Sequence, residues 1–243
     1  RLLRMAAPIM PIDQAALVLS DGGVGGLLAQ TLAAEAPPGG DASVTSVVLP
    51  AMYLSRGDDA DRALMIEAAR EQGQSLDLPV LEALAVPPTN DERHEAGSSI
   101  ARHRALELVD AVYRAASLGL RRVVWPVIAQ RSEGGSGPDV DDLARILDQA
   151  MLAGRLATAD LDSGSLEGEH ALPDVSVLTP FAELDDDQLA DLATDLGIDP
   201  SACWWWGGVA RSSIAGGRER GRWAGLLGLV PQHGHSSSQL FVD

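Results

Sequence analysis

Residues 15–30 read AALVLSDGGVGGLLAQ, and the reading of this stretch decides the fold. The Leu- and Val-rich run that ends at Leu19 predicts a buried strand, which leads into Ser20-Asp21. A turn with Gly22, Gly23, Gly25 and Gly26 around Val24 follows, and LLAQTLAAEA from Leu27 predicts a helix. Strand, glycine-rich turn and helix is how α/β proteins present backbone N–H groups and a helix N-terminus to an anion, usually a phosphate. The same turn also serves as a tight βα connection that binds nothing, and both readings stand at this point.

Working outward, the composition removes several kinds of chemistry. The 243 residues include 35 acidic and 18 basic side chains, for a formal net charge of −17, which argues against nucleic acid as a partner. Every basic residue is arginine. Without lysine there is no G-x-x-x-x-G-K-[ST] phosphate loop and no Schiff base. Cys203 is the single cysteine, so the chain closes no internal disulfide and no cysteine-based metal cage. Apolar runs fall short of the ~20 residues a membrane span requires. Residues 1–13 contain Pro8 and Pro11 and lack the apolar core of a signal peptide, so an irregular lead-in and a cytoplasmic location are expected.

The pattern repeats along the chain. SVTSVVLP (Ser43–Pro50) predicts a second strand, and Asp58-Asp59 caps a helix reaching about Gln72. LPVLEALAV (Leu78–Val86) predicts a third strand. After a polar stretch, a long helix starts near Ser98 and stops at Gly119. VVWPVIA is a fourth strand, followed by a helix capped at Asp139. An acidic loop over Asp160–Asp174 leads to VSVLTP, and a last helix begins at Asp185-Asp186-Asp187, whose carboxylates suit a helix N-terminus. About five strands alternating with helices predict an α/β fold, a Rossmann-like, doubly wound parallel sheet. The Gly-, Arg- and Trp-rich remainder from Cys203 does not alternate cleanly, which divides the chain into an α/β domain over 1–200 and a C-terminal extension over 201–243.

The order of motifs resembles the PP-loop ATP-pyrophosphatase superfamily (adenine nucleotide alpha hydrolase-like), and within it the 7-cyano-7-deazaguanine synthases of queuosine biosynthesis. Against the family's S-G-G-x-D-S stand Ser20, Asp21, Gly22, Gly23, Val24 and Gly25. Against Y-G-Q-R stand Tyr53, Leu54, Ser55 and Arg56, and against P-A-R-N stand Ile100, Ala101, Arg102 and His103. Gly137-Pro138-Asp139-Val140, Thr179-Pro180-Phe181, Leu196-Gly197 and the aromatic stretch within Ala202–Gly208 take up further motifs in order. The resemblance spans roughly residues 15–224. It implies an adenine nucleotide (ATP or AMP) as ligand, with Ser20, Asp21, Gly22, Gly23, Gly25, Gly26, Tyr53, Arg56 and Arg102 as nucleotide-binding candidates. It also implies a homodimer, and, in an intact member, ATP-driven adenylation of a carboxylate followed by nitrile formation.

The departures bear on chemistry. Val24 and Gly25 stand where the family places the aspartate and serine that handle pyrophosphate and Mg²⁺, and a valine offers no oxygen ligand. The segment matching the family's zinc-binding cysteines is Ala215–Gly221 and contains none, so zinc is not expected, and packing of Trp204–Trp206 and Trp223 is the expected substitute. No residue is assigned as catalytic. Three functions follow: a divergent, catalytically impaired homologue that keeps nucleotide or anion binding; an active ligase rebuilt around Asp21 and the arginines; or a scaffold whose glycine turn binds nothing. Cys203 is expected as a buried small residue and His103 as a polar group satisfied locally at a helix start, while His94, His233 and His235 lack metal-like spacing.

Overall fold

The computed structural model describes residues 12–37, 44–51, 59–83, 96–130, 137–164, 175–207, 210 and 213–229. Its centre is a parallel sheet of β1 (Leu17–Ser20), β2 (Val47–Pro50), β3 (Arg122–Val124) and β4 (Ser176–Leu178), in the order β2-β1-β3-β4. Leu17 pairs with Val47 on one side and Val123 on the other, and Val123 pairs with Val177. Strands this short and apolar on both faces form only where helices cover both faces.

The two faces collect different helices. Ala16, Val18 and Val124 turn to α1 (Val24–Ala34), α2 (Asp59–Ser75) and α5 (Asp186–Asp195). Leu17, Leu19, Val47, Leu49 and Val123 turn to α3 (Ala96–Ser117) and α4 (Val140–Gly164). The period-2 alternation of β1 thus feeds both cores, which makes the sheet doubly wound.

Several predicted boundaries move. Of the strand predicted over Leu78–Val86, the described residues 78–83 contribute a single parallel bridge, Val80 to Val48, held by Val48 N to Pro79 O and Leu81 N to Val48 O, both 2.8 Å. Pro79 has no N–H to extend that ladder. The loop expected from Asp160 begins later, because α4 continues through Gly164. The N-terminal signals hold where they are described: Asp139 Oδ1 accepts from Asp141 N and Asp142 N at 2.9 and 3.0 Å, and Asp185 forms a capping box with Gln188.

The tail contains a helix that its composition conceals, α6 (Ile214–Trp223), with Gly216, Gly217 and Gly221 inside it. Ser213 Oγ caps it by accepting from Gly216 N at 2.9 Å, and a Cβ on Gly216 would run into the Ala210 carbonyl. Cys203, Trp204, Trp205 and Trp223 are buried in the same core as Val18, Leu28 and Phe181. Arg220 clamps this segment, donating from one Nη to Trp205 O at 2.8 Å and Trp206 O at 2.5 Å, with its guanidinium 5.4 Å from the Trp206 ring. Among the described residues, no helix is long and apolar enough to cross a membrane.

Candidate functional site

The chain leaves β1 toward β2, while β3 lies on the other side of β1, so the carboxyl ends of β1 and β3 open a crevice between diverging connections. Open parallel sheets hold ligands at this switch point. A cavity of ≈ 170 Å³ occupies it. The glycine turn and the start of α1 form one wall through Asp21, Gly23, Val24 and Gly25, and the segment after β3 forms another through Trp125–Ile128. Arg104 of α3, Arg145 and Ile146 of α4, and Trp204, Glu219, Arg222 and Trp223 of the C-terminal segment complete it.

The turn is held from beneath. Ser20 is fully buried, and its Oγ accepts from Gly22 N at 3.2 Å and Gln30 Nε2 at 2.8 Å. Gln30 Nε2 also donates to Gln72 Oε1 at 3.0 Å, and Gln72 Nε2 donates to Gly22 O at 3.0 Å and Ala202 O at 2.9 Å. Trp204 N donates to the same Gly22 carbonyl at 3.0 Å, so the C-terminal segment is stitched to the turn. Gly22 has φ +68, and a Cβ there would lie 2.7 Å from Met65 O and 2.8 Å from Ala68 Cβ. Only glycine fits that left-handed position against α2.

α1 starts at Val24, one turn earlier than expected, so Gly25 and Gly26 are helical. They serve close approach: a Cβ on Gly25 would lie 3.0 Å from Pro126 O, and one on Gly26 would run into Ser20 Oγ. Gly23 caps α1 without a side chain. An α-helix leaves its first N–H groups without intrahelical acceptors, and here they belong to Val24, Gly25 and Gly26, at the positive end of the helix dipole. Asp21 Oδ1 accepts from Gly23 N at 2.9 Å, so a carboxylate of the chain itself sits beside this end.

Charges around the cavity balance, Asp21, Asp142 and Glu219 against Arg104, Arg145 and Arg222, in a chain that is otherwise strongly acidic. Arg145 pairs with Asp142, whose Oδ2 accepts from Gln130 N at 2.7 Å and ties α4 to the segment after β3. Arg222 forms a two-pronged pair with Asp186, Nε to Oδ2 at 2.8 Å and Nη2 to Oδ1 at 2.5 Å, and stacks 4.9 Å from the Trp223 ring. Trp223 Nε1 donates to Glu219 Oε2 at 3.0 Å. Burial pushes the Glu219 carboxyl above the usual carboxylate range, with Asp21 and Asp186 adding to the shift against Arg222 and the Trp223 N–H. Burial, reinforced by the charge of Asp21, likewise raises the Cys203 thiol far above its ordinary value, which leaves it un-ionised and inert.

Of the sequence candidates, Asp21, Gly23 and Gly25 reach the cavity wall, while Ser20, Gly22 and Gly26 shape the turn behind it. Tyr53 and Arg56, with His94, His233 and His235, lie outside the described residues. Arg102 is on α3, and its side chain also lies outside them. Sequence reasoning missed Trp125, Arg104, Arg145, Glu219 and Arg222 as wall residues. The last two sit three apart on α6, a spacing that would flag them only once that helix is recognised. Among the described residues, no group of histidine, cysteine or carboxylate side chains is arranged to hold a metal ion.

No protein-family model matches the chain, and no curated protein matches it in sequence. The chain is similar in structure to a U34-tRNA thiolase. That protein, NcsA from Methanococcus maripaludis, was solved with its 4Fe-4S cluster; the identity is 14% and the TM-score 0.45. The similarity covers 79% of this chain and 59% of that one, so the chain spans well under two thirds of its neighbour. The α/β assignment rests on the parallel pairing, the strand order and the two helical layers described above.

Proposed function

We propose that the chain binds the phosphate of an adenine nucleotide, AMP or ATP, at the α1 N-terminus without releasing pyrophosphate from it, as a divergent relative of the 7-cyano-7-deazaguanine synthases. The observation that carries this reading is the uncapped first turn of α1, Val24 to Gly26, at the wall of the switch-point cavity. A second cavity of ≈ 380 Å³ shares Ile128, Gln130 and Arg222 with the first and gives the rest of a nucleotide room to extend. Mg²⁺ does not fit the donor set: Val24 and Gly25 bring no side-chain oxygen, and among the described residues no group of carboxylates is arranged to hold a metal ion. Zinc does not fit either, since α6 carries glycine and arginine where the resemblance calls for cysteines, and Cys203 is buried among tryptophans.

A second reading, the scaffold, is favoured by Asp21, whose carboxylate already answers the N-terminal charge of α1. Calorimetry of AMP binding to the native chain and to Asp21→Ala separates the two. Nucleotide binding predicts affinity on the order of 10 μM in the native chain and a gain in Asp21→Ala, from which the competing anion is gone. The scaffold predicts no heat from either. Mg²⁺-dependent pyrophosphate release from ATP would instead establish the ligase.

A further inference from the structure

We propose that Glu219 accepts a hydrogen bond from the bound molecule, so that the site selects phosphorylated compounds carrying an amino group beyond the phosphate. This rests on the anion-binding reading above and specifies what else the ligand must present.

Glu219 sits one helical turn before Arg222 and Trp223 on α6, and all three line the cavity that the first turn of α1 also lines. Its side chain is 29% exposed, and its two oxygens are used unequally. Oε2 accepts from the buried Trp223 Nε1 at 3.0 Å, which fixes the carboxylate against the core. Oε1 accepts no hydrogen bond among the described residues. Arg222 Nη1 stands 3.9 Å from it, beyond hydrogen-bond reach. Oε1 is also open, whereas Gln30 Oε1 and the Nε1 atoms of Trp125 and Trp205 are closed to water. The wall therefore holds one positioned carboxylate oxygen with room for a donor.

The surrounding charges point to the kind of donor. Arg222 commits Nε and Nη2 to Asp186, yet it feels Glu219 and Asp21 as well, so three carboxylates share one guanidinium. Burial, with the charges of Asp21 and Asp186 added, raises the Glu219 carboxyl above its ordinary range. A glutamine would answer Trp223 Nε1 equally well through its amide oxygen and would carry none of this repulsion. The carboxylate thus costs stability by itself. What it has and an amide lacks is an open, charged oxygen that only accepts. An amine suits this surplus of negative charge better than a hydroxyl, whose own lone pairs would face the same carboxylates. A metal ion does not, since no group of carboxylates among the described residues is arranged to hold one. A ligand that answers both walls carries a phosphate for the α1 amides and an amino group for Glu219 Oε1.

The test is calorimetric titration of the native chain and of Glu219→Gln, on the alkaline side of neutrality, with two probes. One is AMP, and the other is purine ribonucleoside 5′-monophosphate, which is AMP without its amino group. The native chain should bind AMP about tenfold more tightly than the amino-free nucleotide, as one hydrogen bond to a charged group would give. Glu219→Gln keeps an acceptor for Trp223 Nε1 and turns its amide NH₂ toward the opening. It should therefore lose that tenfold on AMP and bind the amino-free nucleotide unchanged. A Glu219 that only holds Trp223 in place predicts no preference between the probes. Equal or tighter binding of the amino-free nucleotide by the native chain would overturn this proposal alone, and so would a Glu219→Gln chain that keeps the preference for AMP. Binding of neither nucleotide by the native chain would overturn the anion-binding reading itself, and this inference with it.

Discussion

Replacing Gln72 with leucine should detach the glycine turn from both α2 and the C-terminal segment. Gln72 is buried on α2 and makes three hydrogen bonds, to Gly22 O, to Ala202 O and from Gln30 Nε2. Each is worth about 1 kcal/mol net, for a loss of about 3 kcal/mol. Gly22 O keeps Trp204 N and Gln30 Nε2 keeps Ser20 Oγ, so neither is orphaned. The added apolar surface of leucine returns roughly 1 kcal/mol. The expected net destabilisation is about 2 kcal/mol, which moves a urea midpoint down by about 1 M for a slope of about 2 kcal/mol/M. Gln74→Leu, the same substitution two residues on at an exposed position, should stay within about 0.5 kcal/mol of the native chain. Tryptophan fluorescence reports the transition, since Trp204 and Trp205 sit in the affected core. If Gln72→Leu and Gln74→Leu unfold at the same urea concentration, the buried amides do not tie the turn to the tail.

Gly22→Ala meets Met65 O and Ala68 Cβ from a left-handed backbone, whereas Gly119→Ala has φ +72 with nothing within 4 Å. The first should therefore cost about 3 kcal/mol and the second only about 1 kcal/mol in chemical denaturation; equal costs would show that the turn does not press on α2. Glu219 has a folded pKa above its unfolded value of about 4.3. Its contribution to stability is complete below the unfolded value and is lost as pH rises through the folded one, so Glu219→Gln should gain on the native chain as pH rises above the unfolded value. Parallel pH profiles of the two urea midpoints would contradict that. Cys203, buried with a raised pKa, should resist a thiol reagent at about pH 8 until the chain unfolds, and rapid stoichiometric labelling of the folded protein would place it at the surface.

The sheet was legible because its signal is local. The runs LVLS, VVLP, RVV and SVL are short and largely apolar, each follows or precedes a helical period, and parallel pairing follows from that alternation. The caps at Asp139 and Asp185 were legible for the same reason, as one carboxylate decides each. What escaped depends on residues far apart in sequence. The glycines at 25 and 26 read as part of the turn, yet they are helical, and their missing side chains admit Pro126 O and Ser20 Oγ. α6 was hidden because glycine in a helix costs about 1 kcal/mol each, and what offsets it is tertiary: Ser213, Arg220, the Arg222–Asp186 pair and the packing of Trp223. The cavity walls from α4 and α6 escaped too, since no spacing along the chain announces that Arg145 and Glu219 share one hollow.

The central claim is that the first turn of α1 receives a phosphate without a metal, and thermal unfolding with AMP in the absence of Mg²⁺ tests it most directly. At about 100 times its Kd, a ligand bound only by the folded state adds about 2.7 kcal/mol. For a chain of this length that raises Tm by about 5–10 °C. The account predicts that rise with AMP, and an equal rise when Mg²⁺ is added. An unmoved Tm at millimolar AMP, or a rise that appears only with ATP and Mg²⁺, would contradict it.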